Sequence, residues 1–183
     1  MLPRTVTIKD GKEIVIRHIV EQDAAPYLRL LNEVCAEEEF MLRSRFNMTV
    51  DEERDFIRNL RTPNLFIVAE HSGMLVGWVT LFRHSAPYCQ HVVELGMGLK
   101  KGFRGIGIGS ALMQTILEWV REAGIEKVTL TVRASNTVAQ RLYEKFGFVR
   151  EGTRTRQVKH KGQYDDDYQM AYFVLTPDIA GGA

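Results

Sequence analysis

The segment Arg104-Gly105-Ile106-Gly107-Ile108-Gly109-Ser110 combines small residues with a cation and lies between two apolar stretches. Glycine leaves the main chain open to close approach. A helix starting there would present unpaired N–H groups and the positive end of its dipole. That combination binds anions, most simply a phosphate. Lys100, Lys101 and Arg104 add positive charge beside it. The spacing excludes two familiar phosphate turns. Gly102 and Gly107 have the separation of a P-loop, but Ile108 stands where the lysine belongs, so no side chain is placed to reach a terminal phosphate or hold magnesium. In the dinucleotide pattern G-x-G-x-x-G, Gly105 and Gly107 are followed by Ser110 at the third position. Glu126, about 20 residues on, cannot restore that pattern.

Few other residues have the chemistry and the setting for proton transfer. Glu94 stands inside the apolar run Val92-Val93-Glu94-Leu95-Gly96-Met97-Gly98-Leu99. It is either a charge on the solvent face or a general base whose partial burial would raise its pKa toward working pH. His91 and Glu70 are the alternatives for that role. Tyr143 shares a helical face with Ala139 and Phe146, which on its own suits a core aromatic with a satisfied hydroxyl. Asn136 precedes a helical stretch and suits an N-cap. Arg141 and Lys145 read by default as solvated helix charges. Glu37-Glu38-Glu39 and Asp165-Asp166-Asp167 read as solvated surface, or as the lining of a site for a cationic acceptor.

The elements that position these groups follow from periodicity. Glu13 to His18 alternates as a strand, and Ala24, Tyr27, Leu28, Leu31, Val34 and Cys35 mark one helical face. Thr49 with Glu52 forms a capping box for a short helix through Leu60, before Pro63. Leu65–Glu70 and Met74–Phe82 form a hairpin across His71-Ser72-Gly73. His91–Leu99 is a strand feeding the glycine turn. The helix after the turn, with Leu112, Met113, Ile116 and Val120 inward, ends at Gly124. Lys127–Val132 alternates, Asn136–Phe146 is helical and closed by Gly147, and Phe148–Lys159 with Tyr164–Leu175 is a last strand pair. The predicted order is β, αα, βββ, α, β, α, ββ, an α/β sandwich around a mixed sheet.

Arg104, Gly107 and Gly109 fill the pattern Arg/Gln-x-x-Gly-x-Gly/Ala, and Asn136, Ala139, Tyr143, Gly147 and Phe148 fill Asn-x-x-Ala-x-x-x-Tyr-x-x-x-Gly-Phe. With the hairpin at Val76-Gly77-Trp78 and Ile16-Arg17 ahead of Asp23-Ala24, the chain resembles the GNAT superfamily of acyl-CoA-dependent N-acetyltransferases from about residue 14 to 174. The resemblance implies a single-domain fold with a mixed, mostly antiparallel sheet flanked by helices and a splayed central strand pair. It implies that Arg104, Gly105, Ile106, Gly107, Ile108, Gly109 and Ser110 hold the coenzyme's pyrophosphate. Main-chain groups of Met97, Gly98 and Leu99 would pair with pantetheine and polarise the acetyl carbonyl. Asn136 and Ala139 would lie along the pantetheine arm, and Lys145 or Arg141 would reach the phosphates. Tyr143 would protonate or orient the leaving thiol, and Glu94 would serve as base, directly or through a water. Gly162, Tyr164, Asp166 and Met170 are similar to the last hairpin of branches acting on amino acids or protein N-termini.

The chain's 183 residues suit one domain over residues 1–176 with a flexible tail at 177–183. A net charge of +1 gives no reason to expect nucleic acid as a partner. No apolar run suggests a membrane span or a leader. Cys35 and Cys89 are not arranged as a redox pair, which suits a cytoplasmic protein, and the histidines lack metal spacing, so no metal is expected. The expected function is transfer of acetyl from acetyl-CoA, as co-substrate, to a primary amine of a small molecule or amino acid by direct attack in a ternary complex. The alternatives are peptide or protein N-terminal acetylation and a non-catalytic acyl-CoA-binding module. A homodimer is compatible with the resemblance.

Overall fold

The computed structural model describes residues 2–174. The expected tail at 177–183 and the last residue of the final predicted strand, Leu175, lie outside them. The elements are β1 (Arg4–Thr7), β2 (Glu13–His18), α1 (Ala24–Ala36), α2 (Val50–Asn59), β3 (Leu65–His71), β4 (Met74–Arg83), β5 (Val92–Leu99), α3 (Ile108–Glu122), β6 (Lys127–Arg133), α4 (Thr137–Lys145), β7 (Val149–His160) and β8 (Gln163–Phe173). Short 3-10 turns lie at Glu21–Asp23 and Pro87–Cys89. The strand order is β1-β2-β3-β4-β5-β6-β8-β7, mostly antiparallel, with β5 and β6 parallel. The sequence reading omits β1. Its four residues alternate too briefly to stand out, and pairing with β2, from Arg4 opposite Ile16 to Thr7 opposite Glu13, makes it a strand.

The chain forms two compact units, one of residues up to Leu81 with Gly96–Met113, the other of Phe82–Leu95 with the residues from Gln114 on. In the first unit the β3–β4 hairpin turns on Ser72 and Gly73, with φ of +49° and +79°. Positive φ at both residues matches the right-handed twist of the strands they join. All of Leu65–Ala69 is buried, so β3 is covered on both faces. Phe66 and Val68 face a cluster with Tyr27, Leu28, Leu31, Val34 and Cys35 of α1 and Ile57 of α2. Tyr27 meets the rings of Phe66 and Trp78 edge-on, at 4.9 and 5.7 Å between centroids, geometry worth about 0.5–1.5 kcal/mol per pair beyond area burial. At the start of α2, Thr49 Oγ1 accepts the Glu52 N–H at 3.2 Å and Glu52 accepts the Thr49 N–H at 2.7 Å, the expected reciprocal cap.

Arg17 on β2 ties this unit together. It donates to both carboxylate oxygens of Asp23, at 2.6 and 2.9 Å, and to Glu70 on β3 at 2.8 and 2.9 Å. Asp23 also accepts the Val20 N–H at 2.9 Å. Hydrogen bonding to Asp23, reinforced by Glu70, raises the guanidinium's pKa further.

In the second unit, β6 lies between β5 and β8. The parallel ladder is three residues long, Val92–Glu94 against Lys127–Thr129, although β5 runs on to Leu99 and β6 to Arg133. That short ladder is what a splaying strand pair requires. Val128, Leu130, Val132, Ile116, Val120, Phe148 and Met170 are buried. The helix stops read from sequence are in place, with Gly124 and Gly147 at φ of +67° and +88°.

Candidate active site

The anion turn is built in the first unit. After β5, the Phe103 N–H donates to the Lys100 carbonyl at 3.0 Å, and the Lys9 N–H donates to the Ile106 carbonyl at 3.1 Å. Gly102, Gly105 and Gly107 take φ of +89°, +76° and +108°, which an L side chain resists. Helix α3 then begins at Ile108, with the Ala111 N–H donating to the Gly107 carbonyl at 3.1 Å. The turn thus delivers the start of a helix, the end at which the first N–H groups have no intrahelical carbonyl to bond. A Cβ placed on Gly105 would meet nothing within 4 Å, and one on Gly107 would only graze Ile8 at 4.0 Å. These glycines serve conformation and leave an open cradle rather than a packed contact. A glycine turn opening a helix is suited to an anion.

Arg104 does not stand as a loose cation. Its Nε donates to the Leu99 carbonyl at 3.0 Å, and its guanidinium pairs with Glu37 at 2.7 Å and Glu39 at 3.5 Å. Lys100 pairs with Glu33 at 2.7 Å. The run Glu37–Glu39 is therefore not simply solvated surface. Two of its members hold the arginine that opens the turn, a pairing across more than sixty residues that sequence reading does not reach. Met97 and Leu99 are half-buried, and Gly98 is buried. A Cβ on Gly98 would come within 2.1 Å of the Trp78 ring, and one on Gly96 within 2.8 Å of Thr80 Oγ1. Side chains of β4 thus pack closely against both strand glycines.

The proton-transfer candidates of α4 lie in the second unit. Asn136 caps the helix, its Oδ1 accepting the Ala139 N–H at 3.1 Å. Gln140 locks the turn before it, donating to the Arg133 and Ala134 carbonyls at 2.8 and 2.9 Å. Tyr143 is buried, with its ring 5.8 Å from that of Phe148. Burial pushes its hydroxyl up to about 12. Lys145 is exposed, with Nζ 5.5 Å from the Phe146 ring centre.

Glu94 is exposed and stands opposite Thr129. Its neighbours Val93 and Leu95 take the buried face of the strand, which leaves Glu94 on the solvent face, one of the two readings its sequence setting allows. Of the alternatives, Glu70 is engaged by Arg17, whereas His91 is exposed, its carbonyl accepting the N–H groups of Glu126 and Lys127. The second acidic run is largely structural. Asp165 accepts the Ser135 hydroxyl at 2.5 Å, Asp166 accepts the Arg156 N–H at 2.7 Å, and Asp167 is buried. Among the described residues no cluster of three or more His, Cys, Asp or Glu could hold a metal ion, and no helix is long and apolar enough to cross a membrane.

The family model for the acetyltransferase (GNAT) family matches residues 29–148. A curated relative, the L-amino acid N-acetyltransferase AaaT of Escherichia coli K12, is 33% identical over 109 residues. That match covers 57% of this chain and 65% of the relative, just under two thirds of its length. A solved acetyltransferase of the GNAT family from Streptococcus pneumoniae superposes with a TM-score of 0.84 at 28% identity, covering 88% of this chain and 99% of that one. A GNAT superfamily phosphinothricin acetyltransferase from Sinorhizobium meliloti, solved with acetyl-CoA, shares the fold with a TM-score of 0.80 at 16% identity, over 92% of this chain and 89% of that one. The matched span takes in β5, the glycine turn, α3 and α4, and the chain belongs to the GNAT family of acetyltransferases.

Proposed function

We propose that this acetyltransferase moves an acetyl group from acetyl-CoA to a primary amine of a small molecule or amino acid by direct attack in a ternary complex, within one domain spanning residues 1–176. The observation that carries the coenzyme half is the turn itself. Three glycines at positive φ lead into the first turn of α3, with an open Cβ side at Gly105. Main-chain N–H groups of Gly105, Ile106, Gly107, Ile108, Gly109 and Ser110 are the proposed pyrophosphate ligands. Arg104 is proposed to set the turn's shape, since its guanidinium is engaged by Leu99, Glu37 and Glu39. Acetyl-CoA supplies an activated thioester.

Met97, Gly98 and Leu99 are proposed to orient the pantetheine arm through the main chain, with Asn136 and Ala139 beside it and Lys145 toward the phosphates. Glu94, exposed on β5, suits proton removal through water better than direct abstraction from a buried amine. For Tyr143, full transfer of its proton runs uphill. Its hydroxyl sits at about 12 and an ordinary thiol near ~8.5, so the difference costs about 5 kcal/mol. The proposed part of Tyr143 is therefore a hydrogen bond to the sulfur as charge develops there. Supporting the acceptor class is the amino-acid activity named for the Escherichia coli relative.

The test is release of coenzyme A thiol from acetyl-CoA across amines, amino acids, polyamines and short peptides. Release with a small-amine class is the expected result. Release with peptides alone moves the reading to N-terminal acetylation. Silence with acetyl-CoA still bound leaves a binding module and removes the role given to Tyr143.

A further inference from the structure

Helix α2 carries an inward stripe that breaks the usual rule for a buried face. Glu53, Ile57 and Leu60 recur at four and three residues, and Ile57 is core while Leu60 packs partly buried against it. Glu53 holds the first position of that stripe, with only 3% of its surface exposed. Among the described residues its Oε1 has no hydrogen-bond partner. Buried carboxylates are otherwise paired or hydrogen-bonded. The helix does not need Glu53 at its positive end, because Asp51 and Glu52 share the first turn and Glu52 makes the cap.

The surroundings point to what would partner it. Burial raises the pKa of Glu53, and its charge adds to burial in raising that of the Tyr27 hydroxyl. The adjoining cluster supplies Tyr27, Phe66 and Trp78. Residues 33–55 contain eight acidic side chains against three arginines, a local net charge of −5 in a chain of +1. An aromatic setting with a lone carboxylate and a negative field draws organic cations. An amine held at a carboxylate stays protonated and has no lone pair with which to attack. The nitrogen seated there is therefore not the one acetylated.

We propose that Glu53 seats the non-reacting alkylammonium group of a diamine-like acceptor, between α1 and α2. This rests on the acetyltransferase reading for the fate of the other amine, though binding can be measured without turnover. The experiment titrates the full chain by calorimetry with 1,5-diaminopentane and with 1-aminopentane, for wild type, Glu53→Gln and Glu53→Met. Wild type is expected to bind the diamine at least tenfold more tightly than the monoamine. Both variants should lose that preference, hold acetyl-CoA within twofold of wild type, and melt no lower than wild type, since a lone buried charge is gone. A wild type without preference for the diamine overturns the proposal. So does a preference that either folded variant retains. Thiol release read in parallel separates the two claims. Glu53-dependent diamine binding without release from any amine rejects the acetyltransferase reading and keeps the ammonium seat, and turnover with Glu53-independent binding does the reverse.

Discussion

Tyr143 shows how one buried hydroxyl ties stability to chemistry. Its ring fills the core beside Phe148, and burial lifts its pKa to about 12 from the usual 10. The folded state thus holds this proton more tightly than the unfolded chain. The neutral hydroxyl's contribution is fully present below about pH 10 and is lost as pH rises toward 12, because unfolding there releases a proton. Two pKa units correspond to about 3 kcal/mol over that window. Tyr143→Phe should escape this loss. Denaturant unfolding of the two proteins at pH 8 and pH 11 is expected to show a gap that narrows, or reverses, at the higher pH. A gap independent of pH would mean that the hydroxyl is not desolvated in solution. On the proposed mechanism the same variant lowers turnover about 10-fold or more while acetyl-CoA affinity is kept, because the lost hydrogen bond acts at the leaving sulfur.

At the scale of elements, the glycine turn separates backbone conformation from packing. Gly107 at φ +108° and Gly11 at φ +79° both resist a side chain, and neither would gain a close contact from one. Replacing either by alanine should cost about 1–3 kcal/mol of stability. Only Gly107→Ala should also weaken acetyl-CoA binding, by tenfold or more, because only there do reoriented N–H groups serve the proposed anion site. Equal coenzyme affinity in the two variants, measured by titration calorimetry, would remove the turn from the site. This turn was legible in sequence because its signal is local, glycine by glycine, and so were the Thr49–Glu52 cap, the Asn136 cap and the Ser72-Gly73 hairpin. What local pattern does not carry is the pairing of distant groups. Arg104 with Glu37, Arg17 with Glu70, and Trp78 over Gly98 each join residues brought together by the fold, and for Glu94 alternation sets the face of the strand without saying how far that face is covered. Glu53 lay within reach, since an i, i+4, i+7 stripe with Ile57 and Leu60 marks it as inward, but the neighbouring capping box draws the eye to Glu52.

At the scale of the whole molecule, the two compact units are not two segments of chain. The boundary falls inside β4, between Leu81 and Phe82, inside β5, between Leu95 and Gly96, and inside α3, between Met113 and Gln114. Melting one unit alone would break a strand ladder or a helix midway and leave main-chain N–H and carbonyl groups without partners, each at a net cost of about 1 kcal/mol. Leu112 and Met113 before the α3 boundary and Ile116 and Leu117 after it are all buried residues of one continuous helix. Separate domains, by contrast, meet in exposed linkers that few contacts cross. The chain should therefore unfold in one cooperative transition. Calorimetry is expected to give a van't Hoff enthalpy equal to the calorimetric one, with coincident melting by far-UV circular dichroism and tryptophan fluorescence. Fluorescence is a fair arbiter, because Trp78 lies in the first unit and Trp119 in the second. A midpoint for Trp119→Phe, which leaves Trp78 as reporter, well apart from that of Trp78→Phe beyond their individual stability losses would show that the units melt independently and that the shared elements do not couple them.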